Sequence, residues 1–307
     1  MEKIDLNSDS SMQKDVSLKQ IIEIIWDRKV LIISISCALS LFSIIYSLSL
    51  NDIYTAEAIL APTEDTLSNN NNLIGLADLA GFNLGSDSVD KVTLGIETIK
   101  SLSFFKTFIA NNNVLVHLLA SRRWDENTQK VIIDNSIYNE SSGEWNLPDN
   151  ELQNGEPNIQ QAYEKFRKLI SVSKDFQTGL IILKVDHISP LVAKNWNDWI
   201  IRDINKLSQS LEISRSEKAI GHLNEQINLS TYNNARELMF RILETELHNI
   251  MIAKTTPDYL FNTIDPAVVS YKKSKPFRSI IVLSFTFFGF LASSLGVLIH
   301  RLYFKED

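Results

Sequence analysis

One cysteine, seven prolines and ten glycines are spread over 307 residues, so the chain has few covalent staples and few breaks. The cysteine, Cys37, lies inside an apolar run. The polar part of the protein therefore has no disulfide and must rely on packing and on contacts between subunits. No Lys or Arg occurs between Lys29 and Lys91, and no proline between Pro190 and Pro257, where Gly221 is the only glycine. Catalytic patterns are missing as well. There is no Gly-x-Ser-x-Gly, no His-Glu-x-x-His, no paired-cysteine metal site and no phosphate-binding loop with its Lys-Ser or Lys-Thr. The five histidines, His117, His187, His222, His248 and His300, share no ligand spacing and read as surface or core residues. A net charge of -7 argues against nucleic acid as a partner. The expectation is a protein that is not an enzyme and needs neither cofactor nor metal.

What the chain does have is two uncharged apolar runs, Val30 to Leu50 and Ser279 to Ile299. Each is about 21 residues, or roughly 31 Å of helix, the thickness of a bilayer's hydrocarbon core. The first run is too long for the apolar core of a signal peptide and follows a 29-residue leader, which favours an uncleaved anchor over cleavage near Ala56-Glu57-Ala58. Arg28 and Lys29 abut its start and its exit side is uncharged, so the N-terminus is expected in the cytoplasm. A second span returns the tail to the same side, where Arg301 and Lys305 agree; Lys272, Lys273, Lys275 and Arg278 before that span disagree. Because the first span usually dominates and the intervening loop is long, both termini are placed inside. The expected organisation is a cytoplasmic segment 1–29, a span 30–50, an exported domain 51–278, a span 279–299 and a cytoplasmic tail 300–307. The bacterial inner membrane, with the domain in the periplasm, fits the cysteine usage.

Within the leader, Ser17-Leu18-Lys19-Gln20 has the form of a capping box opening a short amphipathic helix. Ile53 to Leu60 reads as a strand stopped by Pro62, and Thr63 to Asn72 as a loop. Leu73 to Gly85 is small and apolar, and its glycines lack the spacing of a phosphate cradle. Lys91 to Ala120 has helical periodicity, Trp124 to Pro157 is loop-rich, Ile159 to Ile170 is a short helix and Gly179 to Val185 a buried strand. Ser189-Pro190 then opens a long helical region, 190–253, with Ser as N-cap and Pro at the first helical position. Unbroken, it would extend about 96 Å, so a break at Ser230-Thr231-Tyr232-Asn233-Asn234 is favoured, with about 40 residues, roughly 60 Å, going out. The returning chain ends in a strand, Tyr259 to Ala267, that should join the sheet at the base.

Three sets of residues stand out. Gly289, Ser293 and Gly296 share one face of the second span and permit close helix approach. Glu212, Glu217 and Glu225, on the long helix, lie among alternating charges that can carry specificity between subunits. Pro266 and Pro276 mark the linker into the second span. Trp124, Trp145, Trp196 and Trp199 could stack on sugars, but core packing accounts for their spacing better. The fold class is α+β, membrane-anchored, with two transmembrane helices flanking a periplasmic α/β base domain that carries a long helical hairpin projection.

Several segments resemble the polysaccharide co-polymerase family, the Wzz-type chain-length determinants of lipopolysaccharide O-antigen. They are the leader from Val16-Ser17-Leu18 to Trp26-Asp27-Arg28-Lys29, the stretch from Gly179-Leu180-Ile181 to Ser189-Pro190-Leu191-Val192-Ala193-Lys194-Asn195-Trp196, and the return through Met251-Ile252-Ala253, Tyr259-Leu260-Phe261 and Ile264-Asp265-Pro266-Ala267. The linker departs from the family's proline-rich pattern, keeping only Pro276 within Val268 to Arg278. The resemblance implies a ring-like homo-oligomer, itself not catalytic. It would work with a separate membrane O-antigen polymerase, and with the growing polysaccharide as a further partner. Co-polymerases for capsule, exopolysaccharide or enterobacterial common antigen are the nearest alternatives. A sensory receptor would need an output domain, for which eight residues after the second span leave no room, and an enzyme acting on periplasmic glycan fits least.

Overall fold

The computed structural model describes residues 26–63 and 91–303. The capping box at Ser17, the small apolar stretch at Leu73 and Lys305 lie outside them. The elements in chain order are α1 (Lys29–Ser49), β1 (Tyr54–Pro62), α2 (Lys91–Ile99), α3 (Leu102–Asn112), α4 (Leu115–Leu119), β2 (Ser121–Asp125) and β3 (Lys130–Ile133). They continue with β4 (Tyr138–Asn139), β5 (Glu144–Trp145), β6 (Leu152–Gln153), β7 (Glu156–Pro157), α5 (Ile159–Leu169), β8 (Ile170–Lys174) and β9 (Ile181–His187). The chain finishes with α6 (Pro190–Leu229), α7 (Asn233–Thr255), β10 (Phe261–Asp265) and α8 (Arg278–Tyr303). Two compact units result, one holding α1 and α8 and the other spanning Asp52–Ser274.

In the larger unit, the strands β10-β1-β9-β8 form a four-stranded antiparallel sheet. Alternate residues Ala56, Ala58 and Leu60 of β1 and Ile181, Leu183 and Val185 of β9 are buried, the period of two expected of a sheet with one face on a core. Onto that face packs the first half of α6 through Val192, Ala193, Trp196, Ile200 and Ile204. Phe104, Phe105 and Phe108 of α3 and Phe166 of α5 complete the core, with Phe105 and Phe166 ring centroids 4.7 Å apart and Phe108 edge-on to Trp196 at 6.3 Å.

The segment with helical periodicity from Lys91 forms three helices, α2, α3 and α4. Ser101 caps α3, its Oγ accepting from Phe104 N at 3.1 Å, and Asn113 ends it in the left-handed region at φ 44. Short polar side chains at these two points hydrogen-bond locally and outcompete continuation of the helix. The loop-rich stretch contains three small hairpins, β2–β3, β4–β5 and β6–β7. Gly143 and Gly155 supply the positive φ angles of 72 and 82 that their turns need.

The hairpin break falls between Leu229 and Asn233. The 40 residues of α6 reach about 60 Å. Ser189 Oγ accepts from Val192 N at 3.4 Å at its start, with Pro190 in the first turn. What seats this helix is a stripe of polar side chains on its inner face. Asn197 Nδ2 donates to Ala56 O and Leu183 O, both at 3.1 Å. Asn205 acts as a substitute strand. Its Oδ1 accepts from Leu260 N at 3.0 Å and Phe261 N at 2.9 Å, and its Nδ2 donates to Phe261 O at 2.9 Å. Further out, Gln209 Nε2 donates to Ala253 O, and Ser216 Oγ to Glu246 Oε2 at 2.7 Å, tying α6 to α7.

Asn205 is only 2% exposed, so its removal strands three backbone groups of the returning chain away from water. Each such group costs about 1–3 kcal/mol. Replacing Asn205 by Leu should therefore lower unfolding free energy by at least about 3 kcal/mol in urea denaturation. A loss below about 1 kcal/mol would show that the clamp does not hold the return strand.

Candidate functional site

The helical hairpin and the membrane-helix pair hold most of the residues singled out by the sequence. In the hairpin, α7 meets α6 through Glu246 and Ala253, with Met239 and Ile242 half-buried, and only Ala253 among its residues is fully buried. Its opposite face presents Phe240, Leu247 and Met251, spaced by seven and four residues and 51%, 50% and 56% exposed. Leu211 and Leu229 of α6 are exposed too. Two helices cannot bury both faces of either, so beyond the base this apolar surface has no cover among the described residues.

The three glutamates behave differently. Glu212 is largely buried and pairs with Lys91 at 3.4 Å, joining α6 to the start of α2. Glu217 and Glu225 are exposed, available to a neighbour. The tryptophans divide as well. Trp196 is buried in the core and Trp199 packs partly against it, whereas Trp145 pairs with Tyr138 at 4.8 Å and Trp124 is half-buried on β2.

In the membrane-helix pair, both helices are apolar and long enough to cross a bilayer, and only 17% and 11% of their most apolar stretches is buried. A core helix of a water-soluble domain would be covered. Some hydroxyls inside them fold back onto their own helix, as Ser36 Oγ does to Ile32 O at 2.8 Å and Ser293 Oγ to Phe290 O at 3.0 Å, whereas Ser47 Oγ and Ser294 Oγ are buried without a hydrogen-bond partner among the described residues. The small-residue face is not uniform. A Cβ on Gly289 would meet Leu39 Cδ1 at 2.8 Å, so the glycine permits the helix contact there; a Cβ on Gly296 would meet nothing within 4 Å. Ser293, between them, is 7% exposed.

Pro266 follows β10 and is exposed, while Pro276 lies two residues ahead of α8. Between them the linker is anchored by polar contacts rather than by proline. Ser274 N donates to Ile53 O at 2.9 Å, Thr55 Oγ1 donates to Ser274 Oγ at 2.7 Å and Lys273 pairs with Asp52 at 2.7 Å.

At the β9–α6 junction lies His187, 4% exposed against Trp196. Its Nδ1 accepts from Ser189 N at 3.0 Å and its Nε2 faces His117 O at 3.0 Å, which requires the neutral Nε2–H tautomer. Burial, the largest influence, pushes its pKa down from 6.5 to about 4, and burial also lowers that of His117. Among the described residues no group of three His, Cys, Asp or Glu side chains is placed to hold a metal ion.

Residues 14–112 match the family described as "Wzz: Chain length determinant protein". The match takes in the leader, the first membrane helix and β1 to α3; the similar segments at Gly179 and Met251 lie beyond it. This part of the chain is therefore similar to the chain length determinant proteins. A solved structure of a "full-length bacterial polysaccharide co-polymerase" aligns with 95% of this chain and 99% of its own at 11% identity and a TM-score of 0.37, a likeness too low to carry weight. Comparison with curated proteins gives no match.

The folded-state pKa of His187 lies below its unfolded value, so its contribution to stability is full above pH 6.5 and is lost as pH falls through about 4. The span corresponds to about 3 kcal/mol. Denaturant unfolding of the full chain, followed by tryptophan fluorescence, should weaken more between pH 7 and pH 4.5 in the natural protein than in His187→Gln. Parallel pH profiles would show that His187 is not held neutral by the fold.

Proposed function

We propose that this chain sets the modal length of a bacterial surface polysaccharide, lipopolysaccharide O-antigen in the first instance, as an oligomeric scaffold beside a separate membrane polymerase. The family match at residues 14–112 carries the reading. The exposed Phe240, Leu247 and Met251 stripe supports assembly, because a neighbouring hairpin would cover it. Exposed Glu217 and Glu225 can then select the register of that neighbour. In this reading the two spans lie in the inner membrane, the domain between them is periplasmic and both termini are cytoplasmic, with Arg28-Lys29 against an uncharged exit side as support. The protein adds no bond-making chemistry of its own. It alters when extension stops.

Deleting the chain should leave polymer synthesis running and replace a clustered length distribution with a broad, mostly short one on gel banding of surface lipopolysaccharide. Loss of all polymer, or an unchanged pattern, would contradict the proposal. A changed capsule or exopolysaccharide with unchanged lipopolysaccharide would move the same activity to another polymer.

A further inference from the structure

The membrane-helix unit encloses a cleft of about 640 Å³ between α1 and α8, within the size range of small-molecule sites. Its character changes along its length. Leu31, Ile35 and Val297 make an apolar interior, and Arg28, Asp27 and Arg301 stand at the mouth. Gly296 lines the cleft and leaves it open, since a Cβ there would meet no atom within 4 Å. Arg301 Nη1 donates to Asp27 Oδ2 at 2.9 Å, which neutralises one cation. The guanidinium of Arg28 makes no ion pair among the described residues, so among these the side chains at the mouth carry a surplus positive charge.

A soluble anion would gain nothing from the apolar interior, and a neutral hydrocarbon would gain nothing from the arginines. An amphiphile with an anionic head uses both, and basic pockets between membrane helices hold such headgroups. We propose that this cleft is a binding site for an anionic phospholipid of the surrounding leaflet. Its phosphate would lie on Arg28 and the outer edge of Arg301, and one acyl chain over Leu31, Ile35 and Val297. Arginine suits this role because its fork can bind two phosphate oxygens while paired at its other edge. The proposal rests on α1 and α8 lying in a bilayer, and is independent of which polysaccharide the chain regulates.

Full-length protein reconstituted in nanodiscs containing equal phosphatidylglycerol and phosphatidylcholine, then released for native mass spectrometry, tests it directly. The natural protein should retain phosphatidylglycerol at least tenfold over phosphatidylcholine. Arg28→Gln should bring that ratio close to one, and Gly296→Leu, which places a side chain in the cleft, should lower total retained lipid several-fold. Equal retention of the two lipids by the natural protein would overturn the proposal. So would a preference unchanged in Arg28→Gln, or displacement of bound phosphatidylglycerol by excess inorganic phosphate. If Gly296→Leu fails to fold, Arg28→Gln alone decides, because its side chain lies at the exposed mouth.

Discussion

The seating of α6 on the sheet is the constraint on which the extramembrane unit depends. A helix of 40 residues that touches a core along only its first half needs more than an apolar stripe to fix its rotation and depth. Asn197 and Asn205 provide that, because amide groups bonded to backbone atoms of β1, β9 and β10 fit one register alone. Asp203 extends the same logic sideways. Its buried carboxylate accepts from Asn112 Nδ2 at 2.6 Å and Arg202 Nε at 2.9 Å, and so holds the end of α3. With α6 fixed, the sheet order, the return of α7 and the position of the linker all follow.

The membrane helices obey a different balance. In lipid there is no hydrophobic gain from bringing two apolar helices together, so close approach and internal satisfaction of polar atoms decide the contact. Leu39 against Gly289 provides the first, and Ser36, Thr286 and Ser293, each bonded to its own helix, contribute to the second. The helices then diverge enough near Gly296 to leave a cleft.

Much of this was legible in the sequence for identifiable reasons. The spans, β1, β9, the capped start of α6 and the break before Asn233 all rest on strong local signals: uncharged runs, alternation, Ser-Pro and a helix-poor pentad. The division of Lys91–Ala120 into three helices was missed, because Ser101 and Asn113 are caps only in a context that periodicity does not reveal. The clamp was missed for a related reason. The apolar periodicity of Val192, Trp196, Ile200 and Ile204 draws attention away from Asn197 and Asn205, which lie one position along on the same buried face. Their spacing of eight, followed by Gln209, was the available sign. Glycine composition in the second span likewise could not separate Gly289, which touches Leu39, from Gly296, which touches nothing.

The central claim is that length control is a property of assembly through the outer face of the hairpin. It is tested most directly in a variant carrying Phe240→Ser, Leu247→Ser and Met251→Ser together. These side chains are exposed, so the protomer should fold, and the burial they would contribute to an interface is lost. Mass measurement in nanodiscs and polymer length profiles from the same cells give the answer. The expected result is dissociation to smaller species together with a broadened polymer distribution. A dissociated protein that still gives a sharp modal length, or an intact oligomer unaffected by the triple change, would contradict the account.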